Sequence, residues 1–181
     1  MAEDPGLLGR YENFPEIRHG IVRFLHNIQT RELQRSIIKA LHELSLRRRS
    51  FKLSSVPSVS NCKVLFDFGI ADSLTFNYLD EEVMKLSLEA VSREALSTLD
   101  FICIVRYYRR ISTRRYKPLR FDYYIIRFGF YDGRGDIQVY HEKGTRRLPI
   151  DDLITLIIRR VNRELVGSKH PKITVEHKRT L

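Results

Sequence analysis

Apolar residues first recur at Ile17, Ile21, Phe24, Leu25 and Ile28, a spacing that fits one face of a helix of about three to four turns. Thr30 then offers an N-cap, and Leu33, Ile37, Ala40, Leu41 and Leu44 form the buried stripe of a second helix. So short a connection predicts a helical hairpin over residues 12–49. Residues 50–61, with five serines and Pro57, read as a linker or long loop.

The period then changes from that of a helix to that of a strand. Val64, Phe66 and Phe68 alternate with Leu65 and Asp67, and Leu74, Phe76 and Tyr78 alternate with Thr75 and Asn77, which predicts a hairpin of half-buried strands. Asp80, Glu81 and Glu82 supply an N-cap and acidic first turn for a broadly apolar helix running to about Leu99. Strands are expected over Phe101–Arg110, Phe121–Tyr131 and Asp136–His141, followed by a helix opening near Ile150 and a short strand over Lys172–His177. The fold class this implies is α+β: an N-terminal helical hairpin, then a mostly antiparallel ββαβββαβ sheet with helices packed on one face. The expected organisation is a tail over 1–11, the helical hairpin over 12–49, the linker over 50–61, the α+β domain over 62–177 and a tail over 178–181.

Composition narrows the class. The 181 residues suffice for one domain with a real core, and 43% hydrophobic residues with 19 aromatics exclude a disordered chain. No apolar run approaches the roughly 20 residues of a membrane span, and the first residues lack the basic and apolar regions of a signal peptide. Cys62 and Cys103 lie in apolar strands without metal-ligand spacing, so a reduced, cytoplasmic protein is expected. Few methionines, no tryptophan and an Arg-weighted charge set are also compatible with a thermophile.

Charge adds a partner class. The net charge is +10, with 23 of the 32 cations arginine, and it is segmental. Residues 18–52 carry 9 cations against 2 anions, residues 62–100 carry 3 against 8, and residues 101–181 carry 19 against 8. Between Phe101 and Arg120 stand Arg106, Arg109, Arg110, Arg114, Arg115, Lys117 and Arg120 without a carboxylate, interleaved with Tyr107, Tyr108 and Tyr116. Guanidinium groups bind phosphate bidentately and tyrosine rings stack on bases, so this segment reads as a nucleic-acid contact. Tyr108 and Tyr116 are its stacking candidates, and Arg47, Arg48 and Arg49 a second contact. By strand alternation Arg106, Tyr108 and Arg110 share one face and Cys103, Val105 and Tyr107 the other, the even set being the exposed one. An alternative reading is a protein-interaction or homo-oligomeric adaptor, whose cationic strand guards a sheet edge or meets an acidic surface.

Nothing in the sequence carries catalysis. The carboxylates Asp67, Asp72, Asp80, Glu81 and Glu82 have no lysine or histidine partner at a recognisable spacing, and the histidines are scattered. Gly129, Gly133 and Gly135 lie in a hairpin rather than before a helix, so they make no phosphate-binding loop. Gly129 itself predicts a bulge or a close backbone approach. The expectation is therefore a non-enzymatic nucleic-acid-binding protein, or subunit of a nucleic-acid-handling complex, without metal or cofactor.

Overall fold

The computed structural model describes residues 8–46, 51, 53 and 55–180. Its elements run β1 (Gly20–Leu25), α1 (Thr30–Leu44), a 3-10 turn (Pro57–Val59), β2 (Cys62–Asp72), β3 (Thr75–Tyr78), α2 (Glu81–Arg93), β4 (Thr98–Ser112), β5 (Arg115–Pro118), β6 (Asp122–Tyr131), β7 (Arg134–Lys143), α3 (Ile150–Gly167) and β8 (Thr174–Thr180). The strands form one sheet in the order β3-β2-β4-β6-β7-β1-β8, with β5 added along the end of β4. Every pairing is antiparallel.

The protein is thus α+β, with an eight-stranded antiparallel sheet and three helices, but the expected N-terminal helical hairpin is absent. The segment read as its first helix is β1, and the element order departs from ββαβββαβ at both its start and at β5. In β1 the inward set is Gly20, Val22 and Phe24, while Ile21, Arg23 and Leu25 face the other side. Gly20 contributes no side chain to the hydropathy pattern, and the outward Ile21 and Leu25 mimic a helical stripe. A side chain at Gly20 would meet Ile150 Cγ2, so α3 packs directly on this backbone.

One face of the sheet carries the core. Leu99, Phe101, Cys103, Val105 and Tyr107 of β4 point into it together with Tyr124, Ile126 and Phe128 of β6, all at 2% exposure or less. Helix α1 seals this layer with Leu33, Ile37, Ile38, Leu41 and Leu44, flanked by α2 on one side and α3 on the other. Helix α2 ends at Arg93 rather than near Leu99, and only Ser87 and Val91 of it are buried. The N-cap expected of Asp80 is present, its carboxylate accepting from Val83 N at 2.8 Å. Arg31 and Arg35 of α1 reach the end of α2, donating to Ser92 O at 3.1 Å and Ser92 Oγ at 2.5 Å.

The other face of the sheet is only half covered. The segment 8–18 crosses one end of it, with Gly9 N donating to Ala71 O at 2.7 Å and accepting through its carbonyl from Asp100 N at 2.6 Å. Asp100, fully buried, then ties the segment down: it receives Tyr11 N at 2.7 Å and a two-pronged contact from Arg127 Nε and Nη2, each at 2.7 Å. The Phe14 ring lies against the guanidinium groups of Arg127 and Arg18, at 4.2 and 4.5 Å. Gly129 marks a close approach, since a Cβ there would stand 2.6 Å from Asp136 Oδ1.

Candidate nucleic-acid interface

Strand β4 is long enough to leave the core. Its inward positions are buried as far as Tyr107, but Arg109 and Ile111 beyond it are exposed, and the chain returns through β5 as a hairpin. The register places Tyr108 opposite Pro118, Arg109 opposite Lys117, Arg110 opposite Tyr116 and Ser112 opposite Arg115. Because paired residues of an antiparallel ladder share a face, Tyr108, Arg110 and Tyr116 belong to the half-covered face, and Arg109 and Lys117 to the other. Arg114 and Arg115 occupy the tip. Seven cations from one stretch of sequence therefore lie along and beside this hairpin.

They are not equivalent. Arg106 is drawn back by Asp67 of β2, whose Oδ2 lies 2.9 Å from its Nε, with both side chains mostly buried. Arg110 N donates to Asn61 O at 3.1 Å, which fixes the hairpin root against the start of β2. Tyr108 meets the Phe121 ring edge-on at 6.2 Å, and Lys63 places its Nζ 4.1 Å from the Tyr116 ring centroid. Arg109, Arg114, Arg115, Lys117 and Arg120 are exposed, and among the described residues none of them has a carboxylate at ion-pairing distance. Arg47, Arg48 and Arg49 lie outside the described residues. Arg31 and Arg35 of α1 are engaged at the end of α2.

A buried polar cluster anchors the hairpin where it leaves the core. Asp122, fully buried, accepts from the Tyr107 hydroxyl at 2.6 Å, from Arg146 N at 2.7 Å and from Arg147 N at 2.8 Å, and contacts His141 Nε2 at 2.8 Å. The Tyr107 oxygen in turn receives Leu148 N at 2.9 Å, and the Tyr124 hydroxyl donates to Leu148 O at 2.5 Å. Burial, with the Asp122 carboxylate beside them, pushes both phenols far above their ordinary value, so they act as neutral donors. All four oxygen lone-pair directions of one carboxylate are thereby used to hold the 144–148 loop and the hairpin root together.

Residues that sequence reasoning did not select join the hairpin's inner face. Lys63 lies opposite Tyr108, Leu65 opposite Arg106, and Ile104 sits between Asp67 and Tyr123, which in turn faces Lys143. One step along, Ile102 pairs with Ile125 and Ile125 with Tyr140. Period-two alternation marks each of these as outward on its own strand, but their adjacency depends on strand order, which no single segment encodes.

At the opposite corner of the sheet a cleft of about 490 Å³ is lined by Arg23, Tyr131, Arg134, Asp136, Glu176 and His177. Its charges are mixed, and Arg134 stands 3.9 Å from Glu176. Among the described residues no group of three or more His, Cys, Asp or Glu is placed to hold a metal ion. No helix among them is long and apolar enough to cross a membrane.

Compared with known proteins, the chain matches no family model, no curated protein sequence and no solved structure.

Proposed function

We propose that this protein binds nucleic acid through the β4–β5 hairpin, as a binding module with no chemical step of its own. The observation that carries the reading is the set of five exposed cations, Arg109, Arg114, Arg115, Lys117 and Arg120, on a projecting element with no carboxylate partner among the described residues. Like charges at that density repel one another, and a polyanion relieves the repulsion while releasing its own counterions. Arg110 and Tyr116, opposed across the hairpin, add a guanidinium and a ring on its inner face. The two buried, unpaired thiols Cys62 and Cys103 fit a reducing compartment, and we place the protein in the cytoplasm.

Binding of labelled DNA and RNA across a salt series tests the reading. Affinity should fall linearly on a log–log plot, and the Arg114→Ala/Arg115→Ala double variant should flatten the slope by about two, one unit for each lost phosphate contact. Absence of binding at about 50 mM salt, or binding indifferent to both salt and the double variant, would refute it.

A second reading, a protein-interaction module, is favoured by β8, an edge strand whose seven residues are all exposed. It predicts instead a stable assembly in light scattering that truncation before Thr174 disperses.

A further inference from the structure

The face of the sheet opposite the helices has two halves with different chemistry. The half beneath segment 8–18 is polar and internally paired through Asp100 and Arg127. The half that continues into the basic hairpin carries Leu65, Ile102, Ile104, Tyr123 and Tyr140, all partly exposed, around Ile125, which its neighbours bury to 2% exposure. Antiparallel sheets with one solvated face ordinarily alternate apolar inside and polar outside, so a contiguous apolar and aromatic floor on the outer face of the central strands marks a contact surface.

Cations edge this floor. Lys143 Nζ lies 5.4 Å from the Tyr123 ring centroid, Lys63 lies over Tyr116, and Arg110 shares the same face. Among the described residues the carboxylate on the floor, Asp67, is engaged by Arg106. Tyr140 is held in place by a parallel stack on His19, with centroids 4.8 Å apart and planes 17° apart. Tyr123 and Tyr140 sit diagonally on neighbouring strands, about 7–8 Å apart at their backbones, so each presents a separate ring.

Rings on an apolar floor, edged by cations and continuous with the phosphate-binding hairpin, complement an unpaired strand. A duplex buries its base faces in its own stack and shows only phosphates and groove edges, for which Ile102, Ile104 and two tyrosine rings offer nothing. We propose that this face takes single-stranded nucleic acid, with bases stacking on Tyr123 and Tyr140 and phosphates following Lys143, Lys63 and Arg110 into the hairpin. The proposal rests on the nucleic-acid reading above and specifies the form that is bound.

The test is fluorescence anisotropy on the full chain with labelled oligo(dT), oligo(U) and a blunt duplex, each about 15 nucleotides long, within the range of sequence-tolerant single-strand sites. The unsubstituted protein should bind at least one single strand about tenfold or more tighter than the duplex. Tyr123→Ala and Tyr140→Ala should each weaken single-strand binding by about 5- to 100-fold while leaving duplex binding and the salt slope in place. Tyr123→Phe and Tyr140→Phe, which keep the ring, should bind as the unsubstituted protein does, and far-UV circular dichroism checks that each variant is folded. Equal affinity for duplex and single strand overturns the inference. So does an unchanged single-strand affinity in folded Tyr→Ala variants, and if Arg114→Ala/Arg115→Ala still weakens binding, the nucleic-acid reading survives. No binding to any probe overturns both, and a dimer in light scattering that Tyr123→Ala dissolves assigns the face to a second copy and overturns the inference alone.

Discussion

Replacing Asp122 by asparagine tests whether one buried carboxylate holds the hairpin root and the 144–148 loop together. The side chain keeps its size, but one oxygen becomes an NH2 group. If the amide nitrogen takes the Oδ2 position, it faces Arg147 N–H and the Tyr107 hydroxyl, which already accepts Leu148 N. If it takes the Oδ1 position, it faces Arg146 N–H, while His141 can change tautomer and accept. The second arrangement is the cheaper, and it still leaves one backbone N–H pointed at a donor, a loss of ~1–3 kcal/mol. The remaining bonds also lose their charge-assisted component, so the total comes to ~3–4 kcal/mol. For a chain of 181 residues that corresponds to a fall in Tm of about 10 °C, still short of a typical total stability of ~5–15 kcal/mol, so the variant folds. Thermal and urea unfolding followed by circular dichroism read the change. A fall of less than about 2 °C would show that the Asp122 contacts contribute no net stability and would refute the reasoning.

Two further outcomes follow from other buried contacts. Arg127→Met leaves the buried Asp100 carboxylate with Tyr11 N as its one hydrogen bond among the described residues, which should cost ~3–5 kcal/mol and release segment 8–18. Trypsin should then cut after Arg10 or Arg18 faster than in the unsubstituted protein, and an unchanged cleavage rate would count against the strap. His19 is held below the ordinary imidazole value, chiefly by burial and then by Arg146 and His141, and its Nδ1 must be neutral to accept His141 N. The unfolded chain therefore takes up the proton more readily. The stability tied to His19 is complete above the unfolded value near 6.5 and is lost as the pH falls through the depressed folded value. Urea titrations from about pH 8 to about pH 5 should show that loss, and His19→Asn should reduce it; a slope that the substitution leaves intact would refute the assignment.

The sequence reported most clearly where one segment carries its whole message. Alternation along β4 placed Arg106, Tyr108 and Arg110 on one side and Cys103, Val105 and Tyr107 on the other, and the buried and exposed positions divide in that way. Helix α3 and the cap at Asp80 were equally local. Strand β1 departs from its helical hydropathy pattern because its inward face begins with a glycine. Strand β5 falls between the expected strands because Arg115-Tyr-Lys-Pro118 has a polar, proline-ended pattern, which an edge pairing with β4 tolerates and a central strand would not. The Asp122 cluster was invisible for another reason. Tyr107, Asp122, His141 and Leu148 lie on four separate stretches of chain, and only the closed sheet brings them within hydrogen-bonding distance.

The structure also refines what the segmental charge means. An acidic stretch over residues 62–100 between basic ones allowed the hairpin to be neutralised within its own chain. Five of its eight carboxylates are used otherwise. Asp67 holds Arg106, Asp100 holds Arg127, Asp80 caps α2, and Glu81 and Glu89 pair along α2 with Lys85 and Arg93. No ion pair joins α2 to the hairpin among the described residues. These five carboxylates therefore serve the sheet and their own helix rather than the hairpin. An exposed group of like charges opposes folding, because its self-repulsion is larger in the compact state than in the expanded one. Among the described residues Arg106 is the cation of the run that an ion pair neutralises, and it lies over the body of the sheet. Those beyond Tyr108 have no carboxylate at ion-pairing distance among the described residues. Under the nucleic-acid reading proposed above, a polyanion supplies their compensation, and the tyrosines on the adjoining face favour one that also carries unpaired aromatic rings over a merely acidic protein surface.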